Sequence, residues 1–163
     1  MDRIINPFSY KGSVAINSSK SFFQRALAIS LISDSKIKLV GNSNENDILT
    51  ALKICEKAGL QFKKTKNSIK IDGKITNSKK SISVNSLESG FCARVFSVVL
   101  SHLYNDVTIN GIGSATCRSF NFSFLSQLGL KVNAKDLSLP VNIIGEMQSG
   151  EICIDGSNGS QLL

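Results

Sequence analysis

The feature that most constrains this chain is that it repeats itself at a spacing of about 70 residues. Asn17 and Asn85, Arg25 and Arg94, Gly41 and Gly111, and Gly59 and Gly129 lie 68, 69, 70 and 70 residues apart. The same order of hydrophobic patterns runs between these markers in both copies. A unit recurring at this length cannot bury its apolar face alone, so it must stack on its neighbour. The 163 residues hold two such copies and the start of a third.

In the first copy, residues 13–16 read as a strand and residues 21–33 as a helix beginning near Ser19 or Lys20. Phe22, Phe23, Ala26, Leu27, Ile29, Leu31 and Ile32 nearly encircle that helix, which predicts burial all round. Residues 37–40 form a strand stopped by Gly41. The polar stretch 42–47 is rich in capping residues and opens an amphipathic helix with Ile48, Ala51, Leu52 and Cys55 on its inner face. Lys57 and Gly59 are its stop signals. Two strands follow, about 61–64 and 68–71, turning near Asn67.

The second copy offers a strand at 81–86 and a helix with Cys92, Val95, Phe96, Val99 and Leu103 on one face. A strand at 107–109, a helix over about 119–128 and two strand-like runs ending at Ile144 complete it. The predicted fold is therefore α/β. It consists of βαβαββ units over 13–79 and 80–150, with a third, truncated unit over 151–163, helices packed inward and sheets outside. Because the sequence stops within what the repeat makes a helix start, the chain is expected to be a fragment.

Composition narrows the function. Hydrophobic residues make up 42% of the chain and mean hydropathy is +0.07, enough for a core. No apolar run approaches the ~20 residues of a membrane span, and no signal-peptide pattern opens the chain, so a cytoplasmic protein is the default. The net charge of +7 suits anionic partners. The lysines at 63–80 lack interleaved aromatics beyond Phe62, so a solvated edge is the plainer reading and no nucleic acid is expected. Cys55, Cys92, Cys117 and Cys153 form no C-x-x-C pair, and three of them sit among apolar neighbours, which predicts buried free thiols. With a single histidine, His102, near a helix end, neither a metal site nor a Ser-His-Asp mechanism is expected.

One stretch, 17–27, carries chemistry. A helix start attracts anions through its unpaired N–H groups. Here Lys20 adds an ammonium, Ser21 a hydroxyl, and Arg25 a guanidinium fork on the same face as Ser21. That combination fits a pocket for a small, multiply anionic metabolite. Taken alone, it also fits a serine-rich cap with solvated Lys20 and Arg25.

A βαβαββ repeat whose first helix opens with Ser19-Lys20-Ser21 and continues to Arg25-Ala26-Leu27 resembles the enolpyruvyl transferases. The Lys20-Ser21 pair is similar to that of the 5-enolpyruvylshikimate-3-phosphate synthases. Segments 44–60, 88–94 (Glu88-Ser89-Gly90-Phe91-Cys92-Ala93-Arg94) and 155–162 match further family patterns, so the resemblance covers essentially the whole chain. It implies transfer of a carboxyvinyl group from phosphoenolpyruvate to shikimate 3-phosphate with loss of phosphate, and no cofactor. Lys20 would contact both substrates, and Ser21 and Arg25 the shikimate carboxylate side. Gly90 would admit the phosphate of phosphoenolpyruvate to the backbone, with Arg94 in support. Ser160 would bind the phosphate of shikimate 3-phosphate, with Gln161 against its ring.

Several positions depart from the family pattern: Asn17-Ser18 replaces Pro-Gly, Glu88 replaces Asn, Phe91 replaces Thr, Ser114 replaces the first Arg of R-x-x-x-R-P while Arg118 keeps the second and Ser119 replaces the Pro, and Gly159 replaces a Ser. Losing one guanidinium contact removes ~1.5–3 kcal/mol. An acid at 88 opposes anion binding unless it pairs with Arg94 or Lys20. The acid/base groups are implied to lie in a second domain, so this piece is expected to bind weakly and turn nothing over, and a full-length form to be monomeric. Three alternatives stand beside this reading. They are a UDP-N-acetylglucosamine enolpyruvyl transferase, which would show Lys-Asn at 20–21, an RNA 3′-terminal cyclase-like protein, and a non-catalytic anion binder.

Overall fold

A computed structural model describes residues 7, 9, 11–14, 16–41, 44–73, 75 and 80–154. Three α-helices, α1 (Lys20–Ile32), α2 (Asn46–Lys57) and α3 (Gly90–Leu103), pack together against two sheets. The first sheet has β1 (Ile37–Val40), β2 (Phe62–Thr65) and β3 (Ser68–Ile71) in the order β1-β3-β2, all antiparallel. The second has β4 (Ser81–Asn85), β5 (Asp106–Asn110), β6 (Lys131–Ala134) and β7 (Val141–Ile144) in the order β4-β5-β7-β6.

Both sheets alternate burial with period two, so each turns one face to the helices and one to solvent. Ile69 and Ile71 line the inner face of the first sheet; Ile82, Val84, Val107, Ile109, Val141 and Ile143 line that of the second. Leu27, Ile48, Ala51, Cys55, Phe96 and Leu100 supply the helix side of one continuous core.

Two buried polar ties fix how the helices meet. At one end Tyr104, just past α3, donates its hydroxyl to the Ala58 carbonyl at the end of α2 (2.9 Å). At the other end Gln24 of α1 reaches the start of α3. Its Nε2 lies 3.0 Å from Ser89 Oγ, 3.1 Å from Cys92 Sγ and 3.4 Å from the Asp47 carbonyl of α2. Gln24 is fully buried, so one amide holds the N-terminal ends of all three helices together.

The parallel pairing of β4 with β5 decides where the loops go. Their register runs from Ser81↔Asp106 to Asn85↔Asn110, so both strands end on the same side. The chain leaving β4 feeds α3, and the chain leaving β5 feeds a 3-10 turn at Gly113–Cys117, which brings the two connections side by side.

Several expectations are corrected. The described residues of 13–16, namely Ser13, Val14 and Ile16, lie in no strand, and Val14 and Ile16 are 69% and 89% exposed. Helix α1 is not buried all round. Phe22, Ile29 and Ile32 lie on an exposed stripe with Arg25, while Phe23, Leu27 and Leu31 face the core. Hydrophobicity on every side set the expectation, but among the described residues only one face finds helices to pack against.

The helix predicted at 119–128 contracts to a 3-10 segment, Ser123–Leu128. Phe120, Phe122 and Phe124 are all buried at every second position, a spacing that an α-helix would spread around its circumference. Phe120 and Phe122 stack with centroids 5.7 Å apart. Among the cysteines, Cys55 and Cys92 are buried, but Cys153 is exposed beside a half-exposed Ile152, as is Cys117. His102 is an exposed residue in the last turn of α3. Among the described residues, no helix is long and apolar enough to cross a membrane.

Candidate functional site

The starts of α1 and α3 are built alike. Ser19 caps α1, accepting the Phe22 N–H at 3.3 Å, and Ser89 caps α3, accepting the Cys92 N–H at 3.3 Å. Serine suits both caps because its extended backbone precedes the helix while its hydroxyl accepts an N–H that has no partner inside it. The caps lie 70 residues apart, so Lys20 and Gly90 occupy equivalent first positions. In this register Arg94 is equivalent to Gln24, not to Arg25. The spacing of 69 between the two arginines joins residues one helical position apart.

Between these starts lies a cleft of about 290 Å³, on the scale of a small metabolite. Helix α1 contributes Lys20, Ser21 and Gln24, and α2 contributes Asp47. The α3 side contributes Glu88, Ser89, Gly90, Phe91 and Arg94, and Arg118 comes from the connection after β5.

Lys20 is not a freely solvated ammonium. Its Nζ lies 2.9 Å from Asp47 Oδ2, with the two side chains 53% and 29% exposed. An ion pair this open contributes little stability, but it holds the ammonium at the rim.

At the opposite wall two guanidiniums converge. A Cβ placed on Gly90 would sit 3.3 Å from Nη1 of both Arg94 and Arg118, so glycine leaves the space into which they reach. Arg94 lies over the buried Phe120 ring at 4.9 Å. Burial first, and then the neighbouring Arg118, lower the Arg94 pKa. Arginine stays charged at neutral pH nonetheless. Two like charges held over the open start of a 14-residue helix form a site whose repulsion an anion relieves.

Among the residues predicted from sequence, Lys20, Ser21, Gly90 and Arg94 thus line one cleft. Arg25 stands beside it: its guanidinium lies 5.0 Å from the centroid of Phe91, which forms part of the wall. Ser160 and Gln161 lie outside the described residues, as does Gly159. Glu88 pairs with neither Arg94 nor Lys20. Its carboxylate instead accepts the Ser114 backbone N–H at 2.8 Å.

Sequence reasoning did not select Gln24, Asp47 or Arg118 as site residues. Gln24 occupies an unconstrained position inside the 17–27 stretch, Asp47 was hidden among capping residues, and Arg118 stood out only as an arginine the family pattern keeps. The oxygen Oε1 of Gln24 is buried without a partner among the described residues.

The fold defines a class. Solved structures that share it include EPSP synthase from Acinetobacter baumannii, with a TM-score of 0.71 and 20% identity over 86% of this chain and 33% of that one. The enolpyruvyl transferase NikO from Streptomyces tendae aligns with a TM-score of 0.53 and 10% identity, covering 78% of this chain and 29% of that one.

Within that class the chain belongs to the EPSP synthase (3-phosphoshikimate 1-carboxyvinyltransferase) family, whose model matches residues 6–163. Two relatives called 3-phosphoshikimate 1-carboxyvinyltransferase support the same placement. The one from Clostridium kluyveri is 27% identical over 161 residues, 98% of this chain and 38% of its own length. The one from Nitrosopumilus maritimus is 24% identical over 154 residues, 93% of this chain and 36% of its own length. The chain thus spans between a third and two-fifths of the length of these relatives.

Proposed function

We propose that this chain supplies part of the substrate site for carboxyvinyl transfer from phosphoenolpyruvate to shikimate 3-phosphate, in a cytoplasmic enzyme of the shikimate pathway. One observation carries the reading: in a chain of this family, Lys20, Ser21, Gly90, Arg94 and Arg118 surround a single cleft at two helix starts. Both substrates are small and multiply anionic, and the cleft offers three cations, a serine hydroxyl and the N–H groups of two helix ends. In this reading Gly90, Arg94 and Arg118 take the phosphate of phosphoenolpyruvate, where charge-assisted bonds to two guanidiniums give both strength and orientation. Lys20 bridges the two substrates, Ser21 and Arg25 hold the carboxylate side of shikimate 3-phosphate, and Ser160 and Gln161 take its phosphate and ring.

Transfer requires a group that protonates the methylene carbon of phosphoenolpyruvate and one that takes the proton of the attacking hydroxyl, and later a methyl proton as phosphate leaves. The two carboxylates of the cleft are already engaged, Asp47 by Lys20 and Glu88 by the Ser114 N–H. The reading therefore assigns these residues binding and orientation rather than proton transfer. A monomeric state, and the division into units at 13–79, 80–150 and 151–163, are part of the same proposal.

Calorimetric titration with shikimate 3-phosphate tests it. Saturable binding by the native sequence, weakened about tenfold or more in Lys20→Ala and in Arg25→Ala, is the expected result. Binding that both variants leave unchanged would sink the assignment. Phosphate release from both substrates together separates a catalytic chain from one that only binds.

A further inference from the structure

From the geometry around residue 114, we infer that Glu88 and Ser114, two positions at which this chain departs from the enolpyruvyl transferase pattern, act together as positioning residues for Arg118. The inference rests on the proposed anion site and specifies how one of its cations is aimed.

The connections leaving β4 and β5 are stitched together step by step. Ser86 N–H donates to the Asn110 carbonyl at 2.8 Å, and Ile112 N–H to the Leu87 carbonyl at 3.1 Å. Leu87 has a φ of 51°, a conformation that a residue with a side chain rarely adopts and that persists only where its surroundings enforce it. The next step is the side chain of Glu88, whose Oε1 accepts the Ser114 N–H at 2.8 Å. Ser114 then turns its hydroxyl to Arg118, accepting from Nη2 at 3.0 Å. The other terminal nitrogen of Arg118, Nη1, is the one that reaches the space above Gly90.

The path from Glu88 to Arg118 thus runs through two hydrogen bonds and aims the other guanidinium edge, Nη1, at the space above Gly90 where a ligand would meet it. Gly113 makes it possible. Its φ is 54°, and a Cβ there would collide with the Glu88 carboxylate. The acid at 88 is therefore not simply a repulsive charge beside an anion site, and the serine at 114 is not simply a lost arginine. The pair replaces the missing guanidinium with a fixed orientation of the one that remains.

Charge and orientation make opposite predictions. If Glu88 acts only through its negative charge, Glu88→Gln and Glu88→Ala both tighten anion binding. If it positions Arg118, Glu88→Gln keeps an oxygen for the Ser114 N–H and binds as tightly as the native chain or tighter, whereas Glu88→Ala binds more weakly. The test is titration of the native chain, Glu88→Gln, Glu88→Ala and Ser114→Ala with phosphoenolpyruvate and with inorganic phosphate. Rotation of the Arg118 guanidinium is followed by NMR without ligand.

The expected result is an affinity loss of threefold or more in Glu88→Ala and Ser114→Ala, none in Glu88→Gln, and faster guanidinium rotation in the two weakened variants. Equal or tighter binding by Glu88→Ala, with unchanged rotation, would overturn the inference while leaving the proposed function standing. Absence of saturable binding by the native chain would remove both. Ser114→Ala keeps the Glu88 carboxylate, so it carries the test if Glu88→Ala does not fold.

Discussion

Helices α1 and α3 start with the same serine cap, at equivalent positions of the repeat, yet their surroundings differ. At α3 the first residues, Gly90 to Ala93, are buried, and the cations beside them rest on the Phe120 ring and the Ser114 hydroxyl. At α1 the first residue is a half-exposed Lys20 held by one acid, and the helix shows Phe22, Ile29 and Ile32 to solvent. The repeat therefore supplies one backbone device twice, and packing decides how rigid each copy is. A glycine with two braced arginines makes a fixed wall, and a lysine on a rim makes an adjustable one.

The largest expected effect separates the two faces of α1. Leu27 is fully buried, so Leu27→Ala should destabilise the fold by about 2–5 kcal/mol, whereas Phe22→Ala on the exposed stripe should change stability by less than about 0.5 kcal/mol. Urea unfolding midpoints measure both, and equal losses would mean that the stripe is covered.

The tie between the two helix starts comes next. Gln24→Leu removes the amide that joins Ser89 to the Asp47 carbonyl, and losing these two hydrogen bonds should cost about 1–3 kcal/mol. If α3 is the fixed wall, Gln24→Leu should also loosen α1 relative to it. That is visible as faster amide exchange at Phe23 than at Ala93, the equivalent residues whose N–H groups donate to the Ser19 and Ser89 carbonyls at 3.1 Å.

A smaller effect comes from the thiols beneath this junction. Burial raises the Cys92 pKa to about 11, and burial, reinforced by Cys92, raises that of Cys55 further still. The unfolded thiols ionise near pH 9, so the folded state holds its protons longer. Stability should be flat below pH 9 and fall above it, by about 1 kcal/mol per pH unit for each thiol. Comparing unfolding at pH 8 and pH 10 in the native chain and in Cys92→Ala checks the sign. A small change is also expected for Lys20→Ala, which should alter stability by no more than about 1 kcal/mol although it weakens anion binding.

What could be read in advance follows the same division. The β-strands of both sheets and the inner face of α2 were legible because alternation and 3.6-residue periodicity are local signals. Lys20 and Ser21 were singled out by their place at a helix start and Gly90 and Arg94 by the family resemblance, and the four line one cleft because both helix starts share an end of this fold. The one-sided burial of α1 was not, since hydrophobicity records what a face prefers and not whether a neighbour arrives. Nor was the loss of the helix over 119–128, where Phe120, Phe122 and Phe124 share one core. The partners of Asp47 and Glu88 were not legible because Lys20 and the Ser114 N–H lie 27 and 26 residues away along the chain.

Amide NMR during titration with shikimate 3-phosphate and phosphoenolpyruvate tests most directly whether the two helix starts form one site. The account predicts that the N–H signals of Lys20, Ser21, Gly90 and Phe91 move together and saturate with a common dissociation constant. Shifts confined to one helix start, or saturating independently at the two, would contradict it.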